Sequence, residues 1–169
     1  MEDEFNEIKP QDLNDNVFKL IGADWMLISA GNIKSFNMMT ASWGALGVLW
    51  NLNVCICFIR PTRYTYEFME KNEQFTLSFF DEKYRDVLNY CGAKSGRNVN
   101  KAQKTGLTPA EGAGSLYFKE ARLVIESRKI YYQDIKPEFF IDKEIEKNYP
   151  KKDYHRMYIG HILKCLKKG

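Results

Sequence analysis

The chain has 169 residues, of which 44% are hydrophobic and 28% are charged, and its formal net charge is +3. This composition excludes global disorder and fits a soluble globular protein with one domain over residues 1–169. The charge excess is small and spread along the chain, so nucleic acid is not an expected partner. Residues 1–16 are predicted to be a polar lead-in, and the acidic N-terminus lacks the apolar segment of a secretory signal.

The four cysteines give no sign of a metal site or a disulfide. None forms a C-x-x-C pair, and both histidines lie far in sequence from the first three cysteines. This spacing gives little support for zinc. Cys55 and Cys57 are expected on one face of one strand, which does not meet the usual geometry of a disulfide. We therefore expect reduced thiols in a cytoplasmic protein.

Residues 35–59, SFNMMTASWGALGVLWNLNVCICFI, contain no charged residue. A membrane-spanning helix needs about 20 predominantly apolar residues. This stretch includes several Asn, Ser, Thr and Gly residues, and a turn signal lies inside it at 51–53. We expect buried strands here and no membrane partner.

In chain order, the first predicted strands cover 25–30 and 36–43, whereas residues 44–50 stay unassigned because of their glycines. Residues 54–59, VCICFI, are uncharged on both faces, which is typical of a strand buried on both sides. Trp43 and Trp50 are expected in the core and not against a cofactor.

The second half of the chain mixes helices and strands. The predicted elements are a helix at 62–71, a strand at 75–80, a helix from Asp81 to residue 90, a polar loop with a short helix at 94–114, a β-rich segment at 116–133 and a last strand at 154–166. Asp81 is a suitable N-cap residue. Because strands and helices do not alternate regularly, we predict a mainly β fold with helical additions, and not a doubly wound parallel sheet.

The segment RPTRYT at 60–65 places two arginines and two threonines at the start of the predicted helix. The helix dipole disfavours cations there. Guanidinium groups, hydroxyl groups and free backbone N–H groups together suit an anion, of which phosphate is the commonest. The alternative is that Arg60 and Arg63 form surface ion pairs with Glu67 or Glu70.

Two further segments are candidate ligand contacts. CGAKSGR at 91–97 surrounds Lys, Ser and Arg with glycines that permit close backbone approach, although it lacks the P-loop pattern and could be an exposed loop. In MTASW at 39–43, short side chains expose strand backbone to a flat heterocycle, or serve only close packing.

Signatures of hydrolytic catalysis are missing from the sequence. Neither G-x-S-x-G nor H-E-x-x-H occurs. His155 is expected to be a hydrogen-bonded structural residue. Cys91 could be a nucleophile only if a base lay beside it. We therefore assign no catalytic residue.

The order of these motifs resembles a known family. FNMMTASW, FIRPTRYTYEF, FTLSFF and CGAKSGR, followed by Lys101, resemble the flavin reductase-like, FMN-binding split-barrel family, with the flavoredoxin group as the nearest branch. The resemblance implies a split β-barrel of the FMN-binding type that forms a homodimer with FMN near the subunit interface. At His161 this branch would have an acidic residue, so no role is carried to that position.

The resemblance also implies roles for matching residues. The strand segment that lines the isoalloxazine ring corresponds to Met39, Thr40, Ala41 and Ser42. The segment that holds the phosphate and ribityl chain corresponds to Arg60, Thr62, Arg63, Tyr64 and Thr65. The loop that closes on the cofactor corresponds to Cys91, Lys94, Ser95, Gly96 and Arg97. A late segment near the site corresponds to His155 and Tyr158.

Together these features predict an FMN-dependent oxidoreductase that takes hydride from NADH or NADPH and passes electrons to free flavin, a partner protein or another small acceptor. Because no G-x-G-x-x-G motif occurs, the nicotinamide is expected to bind transiently on the flavin. A cation such as Lys94 or Arg97 near the N1–C2 edge would stabilise reduced flavin. The alternatives are a flavoredoxin-like electron carrier without nicotinamide turnover, and a flavin-binding module without catalysis.

Overall fold

The computed structural model describes residues 4–169, which form strands, three α-helices and several short turns of other helix types. The strands are β1 Phe5–Ile8, β2 Met26–Asn32, β3 Ser35–Ala41, β4 Gly44–Leu49, β5 Leu52–Ile59, β6 Gln74–Phe79, β7 Pro109–Glu111, β8 Leu116–Phe118, β9 Leu123–Asp134 and β10 Arg156–Lys168. The α-helices are α1 Tyr64–Lys71, α2 Arg85–Ala93 and α3 Lys101–Thr105. A π-helical turn occupies Lys19–Ala23, and 3₁₀ turns occupy Pro10–Asp12, Glu82–Tyr84, Pro137–Phe139 and Lys143–Asn148.

Eight strands form one antiparallel sheet in the order β3-β2-β6-β9-β10-β5-β4, with β1 added beside β10, and β7 and β8 form a separate hairpin. β10 joins the two halves of the large sheet. It pairs with β9 along most of its length, with β5 over 156–161 and with β1 over 165–168. Two irregularities in its ladder with β9 bend the strand locally. The prediction of a mainly β fold with helical additions is confirmed.

The uncharged stretch 35–59 folds into the consecutive strands β3, β4 and β5. β4 and β5 form a hairpin whose turn residues, Trp50 and Asn51, have φ angles of 52° and 58°. Positive φ at both central residues is the pattern of a type I′ turn, which matches the twist of the flanking strands. The turn therefore lies one residue earlier than predicted. Among the described residues, no helix combines the length and apolar character needed to cross a membrane.

Both faces of the sheet are buried. Leu27 and Ile28 are adjacent in β2 and fully buried, yet they belong to different hydrophobic clusters. Successive side chains of a strand point to opposite faces, so each face of β2 contributes to its own cluster. One cluster includes Phe75 and Tyr158, and the other includes Leu88 of α2. Helix α2 thus covers one face at β3, next to the site described below.

Several sequence expectations differ from the structure. The exposed fractions of Trp43 and Trp50 are 44% and 58%, so the expectation that both lie in the core is wrong. Trp43 connects β3 to β4 and Trp50 occupies the hairpin turn, and both positions lie beyond the packed strand faces. Helix α2 begins at Arg85 because a 3₁₀ turn follows Asp81. The predicted polar lead-in contains β1, whose Phe5 packs edge-on against Tyr117.

Candidate functional site

A cleft of about 400 Å³ opens at the end of β3, which we call the tryptophan cavity. Its size falls within the usual range for small-molecule sites, roughly 300–1,000 Å³. The lining residues are Trp25, Met39, Thr40, Ala41, Ser42, Trp43, Phe58, Arg60, Arg63, Leu88, Asn89, Gly92 and His155. The wall is therefore mostly apolar and aromatic, with a few polar groups at its margin.

A hydrogen bond connects strand β3 to helix α2 at the wall of this cavity. The Thr40 hydroxyl donates a hydrogen bond of 2.6 Å to the carbonyl oxygen of Leu88. Gly92, one turn further along α2, lies close to Thr40: a Cβ placed on it would be 3.4 Å from the Thr40 Cβ. The small side chains of β3 thus allow the helix to approach the strand and leave the strand end facing the cavity.

Trp25 closes one side of the cavity with a strained backbone. Its φ is 70°, which is unusual for a bulky side chain. The Arg85 guanidinium lies 4.1 Å from the indole centroid and donates a hydrogen bond of 2.7 Å to the Ala23 carbonyl. Such strain persists only where surrounding contacts hold it, and it often marks a functional site.

His155 lines the cavity as a neutral side chain. Its Nδ1 atom lies 2.8 Å from the Tyr149 hydroxyl, and its ring centroid lies 5.1 Å from that of Trp43. Burial, with a smaller contribution from the Arg60 charge, lowers the pKa of His155 to about 4. The expectation that His155 is hydrogen-bonded fits this geometry.

Arg60 is neutralised by the segment that precedes β10. Its guanidinium donates hydrogen bonds to the Asp153 carboxylate at 2.6 Å and to the Asn148 carbonyl at 2.9 Å. It also lies 4.8 Å from the centroid of the Tyr149 ring. Arg60 therefore shapes the cavity margin, and its charge has a protein partner.

A second cavity of about 190 Å³, the arginine pocket, adjoins the first through Arg63, which lines both. The residues around it are Asn37, Thr62, Arg63, Tyr64, Thr65, Ala93, Lys94, Ser95, Gly96 and Lys101. They come from β3, the start of α1, the loop after α2 and the start of α3. Cations, hydroxyls and an amide thus meet in one small space.

Two of the three cations at this pocket, Lys101 and Arg63, are buried or half-buried without an acidic partner. Lys101 is only 4% exposed, and its ammonium donates hydrogen bonds of 2.8 Å to the carbonyls of Met38 and Cys91. Arg63 donates one of 2.9 Å to the Gly92 carbonyl. Among residues 4–169 neither cation forms a salt bridge. Burial lowers the pKa of both, and burial together with the smaller effect of the Arg63 charge brings the pKa of Lys101 to about 8.

The remaining polar groups are held in place by backbone and side-chain contacts. The Asn37 amide donates a hydrogen bond of 2.8 Å to the buried Thr65 hydroxyl. A Cβ at Gly96 would lie 1.9 Å from the Asn37 Oδ1 atom, so the loop after α2 can approach β3 this closely only with glycine here. The glycine in CGAKSGR therefore permits the close backbone approach suggested by the sequence.

Most of the residues singled out from the sequence line these two cavities. Met39, Thr40, Ala41, Ser42 and Arg60 line the tryptophan cavity, Arg63 lines both, and Thr62, Tyr64, Thr65, Lys94, Ser95 and Gly96 line the arginine pocket. His155 lines the tryptophan cavity as well. Whether they contact a cofactor stays a prediction.

Three of the singled-out residues lie elsewhere. Cys91 lies on the buried face of α2, where burial raises the pKa of its thiol to about 11, and its carbonyl accepts a hydrogen bond from Lys101 at the site. Arg97 pairs with Glu67 and lies 4.8 Å from the Tyr64 ring centroid. Tyr158 is buried in the core and donates a hydrogen bond of 2.5 Å to Glu70.

The sequence patterns did not indicate several residues that line these cavities. They are Trp25, Asn37, Phe58, Leu88, Asn89, Gly92 and Ala93, together with Lys101, which was noted in the motif order without a role. Asn37 lies on the same face of β3 as Met39 and Ala41, because every second residue of a strand points the same way. A polar side chain is unexpected on this apolar face, and it is the one sequence pattern that could have pointed to Asn37 as a site residue.

The comparisons with known proteins agree with this architecture. The family described as flavin reductase like domain matches residues 19–165, and the chain belongs to this family. No match to a curated protein was found. The predicted family resemblance is therefore confirmed.

Solved structures share the fold at low sequence identity. An FMN-binding domain of a flavin reductases-like enzyme from Shewanella baltica OS155 has a TM-score of 0.72 and 14% identity, over 99% of this chain and 79% of that one. The flavoredoxin of Desulfovibrio vulgaris (Miyazaki F) has a TM-score of 0.68 and 22% identity, over 96% and 77%. An NADH:FAD oxidoreductase from Streptomyces globisporus C-1027 has a TM-score of 0.63 and 11% identity, over 85% and 75%. The predicted split-barrel fold of the FMN-binding type is confirmed.

The low pKa of His155 predicts acid sensitivity of the fold. Its pKa is about 4 in the folded chain against 6.5 for a free histidine, so the unfolded state binds more protons between these values. Lowering the pH through this window should reduce the free energy of unfolding by as much as about 3 kcal/mol. Urea denaturation of the protein and of His155→Gln at pH 7 and pH 4.5 measures this contribution.

His161 lies at a partly exposed position of β10 and supplies the matched control. His161→Gln should lose stability on acidification as the unsubstituted protein does, whereas His155→Gln should lose less. An equal loss in all three proteins would contradict the role given to His155.

Proposed function

We propose that the chain binds FMN and works as an oxidoreductase that takes hydride from NADH or NADPH and passes electrons to free flavin or a partner. The observation that carries this proposal is a pair of cations without acidic partners, the half-buried Arg63 and the buried Lys101, beside a mostly apolar cleft. A buried charge without a counter-charge is costly, and a bound phosphate dianion would remove that cost. Membership of the flavin reductase-like family supports a flavin as the molecule that carries this phosphate.

The donor groups present fit FMN at both ends of the molecule. Its phosphate suits the arginine pocket, where Arg63 and Lys101 supply charge and Thr62, Thr65 and Ser95 supply hydroxyls. Its flat ring suits the tryptophan cavity, whose walls are aromatic or have small side chains. Because Arg63 lines both cavities, one molecule with a short linker between ring and phosphate can occupy them together.

When bound, FMN supplies the hydride and electron chemistry, and the protein residues bind, orient and shield it. Met39, Thr40 and Ala41 present the end of β3 to the ring. Arg63 is a better-placed cation for the ring than Lys94 or Arg97, since neither of those residues lines the tryptophan cavity. His155, neutral at pH 7, adds a polar contact at the margin without adding charge.

Arg63 should contribute strongly to FMN affinity. Charge-assisted hydrogen bonds contribute about 1.5–3 kcal/mol, so Arg63→Ala should weaken FMN binding about ten- to a hundredfold. Titration of apoprotein with FMN, followed by quenching of flavin fluorescence, measures the dissociation constant. Arg128→Ala, which removes an exposed arginine from β9, is the control and should leave it unchanged. Equal affinity in the Arg63 variant would refute the phosphate assignment.

A flavoredoxin-like electron carrier is the second candidate. Similar folds in the flavoredoxins of Desulfovibrio vulgaris and Methanosarcina acetivorans, at 22% and 21% identity, favour keeping it. In such a protein the bound flavin exchanges electrons with protein partners and does not turn over nicotinamide.

Anaerobic mixing separates the two candidates. The FMN-loaded protein should lose its visible flavin absorbance when NADH or NADPH is added, because the open tryptophan cavity admits a second ring beside the flavin. Dithionite serves as the positive control for reduction. Bleaching by dithionite but by neither nicotinamide would favour the electron carrier over the reductase.

We also propose a homodimer, formed through exposed apolar residues at and near the edge strand β4. Val48, Trp50 and Tyr131 are 73%, 58% and 41% exposed, and the rings of Trp50 and Tyr131 are 6.0 Å apart. Exposed apolar clusters of this kind mark protein interaction surfaces. Trp43, at the opposite end of β4, is also exposed and lines the tryptophan cavity, so a subunit that covered β4 along its whole length would lie beside the flavin.

Light scattering of the native protein should therefore give twice the chain mass of 19.8 kDa. Trp50→Glu places a charge in the cluster and should yield monomers. Ile33→Glu, at an exposed apolar residue in the β2–β3 turn, is the control and should remain dimeric. A monomeric native protein would rule the dimer out.

A further inference from the structure

Asn37 is a buried polar residue at the arginine pocket, where only 5% of its surface is exposed. Its amide nitrogen donates a hydrogen bond of 2.8 Å to the hydroxyl oxygen of Thr65, the second residue of α1. Its Oδ1 atom packs tightly against Gly96, where an added Cβ would lie 1.9 Å away. The amide is therefore held from both sides, and its orientation relative to Thr65 is fixed.

The hydrogen bond from Asn37 determines how the Thr65 hydroxyl can be used. A hydroxyl has one hydrogen to donate and an oxygen that accepts. The Thr65 oxygen accepts from Asn37, and within residues 4–169 the hydroxyl hydrogen forms no hydrogen bond of its own. Thr65 is 1% exposed and lines the arginine pocket, so a ligand in this pocket is the acceptor that its hydrogen can reach.

Lys101 has a spare donor in the same pocket. An ammonium group carries three N–H donors, and here two of them bond to the carbonyls of Met38 and Cys91. Thr65 and Lys101 therefore each offer one unused donor, beside the guanidinium of Arg63. A phosphate dianion presents oxygens that only accept hydrogen bonds, so these donors suit it.

From these contacts we infer that Asn37 is a positioning residue for the phosphate of the bound flavin. Its amide occupies the oxygen of the Thr65 hydroxyl and so directs the hydroxyl hydrogen into the arginine pocket. The hydroxyl is then oriented before the phosphate arrives, which removes the cost of ordering it on binding. This inference rests on the proposed flavin site, and Asn37 acts through Thr65 without touching the ligand.

FMN titrations of Asn37→Ala, Thr65→Val and the double variant test the inference. Thr65→Val removes a charge-assisted hydrogen bond and should weaken FMN binding about ten- to a hundredfold. Asn37→Ala should weaken it about three- to tenfold, because a hydroxyl without this contact can turn toward backbone carbonyls. The double variant should bind FMN as Thr65→Val does, since Asn37 acts only through this hydroxyl.

Riboflavin, which lacks the phosphate, separates positioning from a general effect on the fold. Neither single variant should change the dissociation constant of riboflavin by more than about twofold. Thr65→Ser keeps the hydroxyl and should keep FMN affinity. Asn72→Ala is the matched control, because Asn72 donates a hydrogen bond of 2.8 Å to the Phe68 carbonyl at the other end of α1 and lines neither cavity.

The outcomes separate this inference from the proposed function. Losses that add in the double variant, or an equal loss for riboflavin, would overturn the role of Asn37 and leave the flavin site standing. FMN binding as weak in Thr65→Ser as in Thr65→Val would overturn it too. Asn37→Leu, which has nearly the same shape as the natural side chain, replaces Asn37→Ala if that protein does not fold. If the unsubstituted protein binds no FMN, the proposed function itself fails.

Discussion

Two cations without a carboxylate beside them, the buried Lys101 and the half-buried Arg63, are the constraint around which the site is built. Lys101 is held only by the carbonyl oxygens of Met38 and Cys91, and Arg63 by that of Gly92. These neutral acceptors offset part of the cost of burial, but they leave the positive charges uncompensated. The same hydrogen bonds connect β3 to α2, so one arrangement sets both the electrostatics of the pocket and the position of its walls.

The sheet determines where these cations can meet. β3 is one end of the strand order, and β5 lies on the far side of β10. The chain leaves β5 at Arg60 and enters α1 at Tyr64, and α1 packs against β2 and β3. RPTRYT therefore crosses from one half of the sheet to the other, and Arg63 arrives between the tryptophan cavity and the arginine pocket. Arg60, at the start of this segment, lies at the margin of the tryptophan cavity, where the Asp153 carboxylate neutralises its charge.

The two cavities differ in chemistry as well as in place. The tryptophan cavity is mostly apolar and aromatic, and the arginine pocket is cationic. An apolar space that adjoins a cationic one suits a molecule with a flat ring and a phosphate, such as the flavin proposed above. The reactivity of a flavin belongs to the flavin itself, so such a site needs no acid–base pair. The neutral state of His155 agrees with a role in shaping the cavity.

By itself the sequence determined the mainly β fold and the family, and it pointed to segments that line the two cavities. Uncharged strands such as 54–59 and motifs such as RPTRYT are local patterns, which a single chain displays directly. It did not reveal β4, because glycines weaken a strand pattern, nor the exposure of Trp43 and Trp50. Only the tertiary structure paired Lys101 with Met38, or Asn37 with Thr65, across 63 and 28 positions. Such pairs depend on strand order and on how the helices pack, and residue patterns within a short window do not encode either of these.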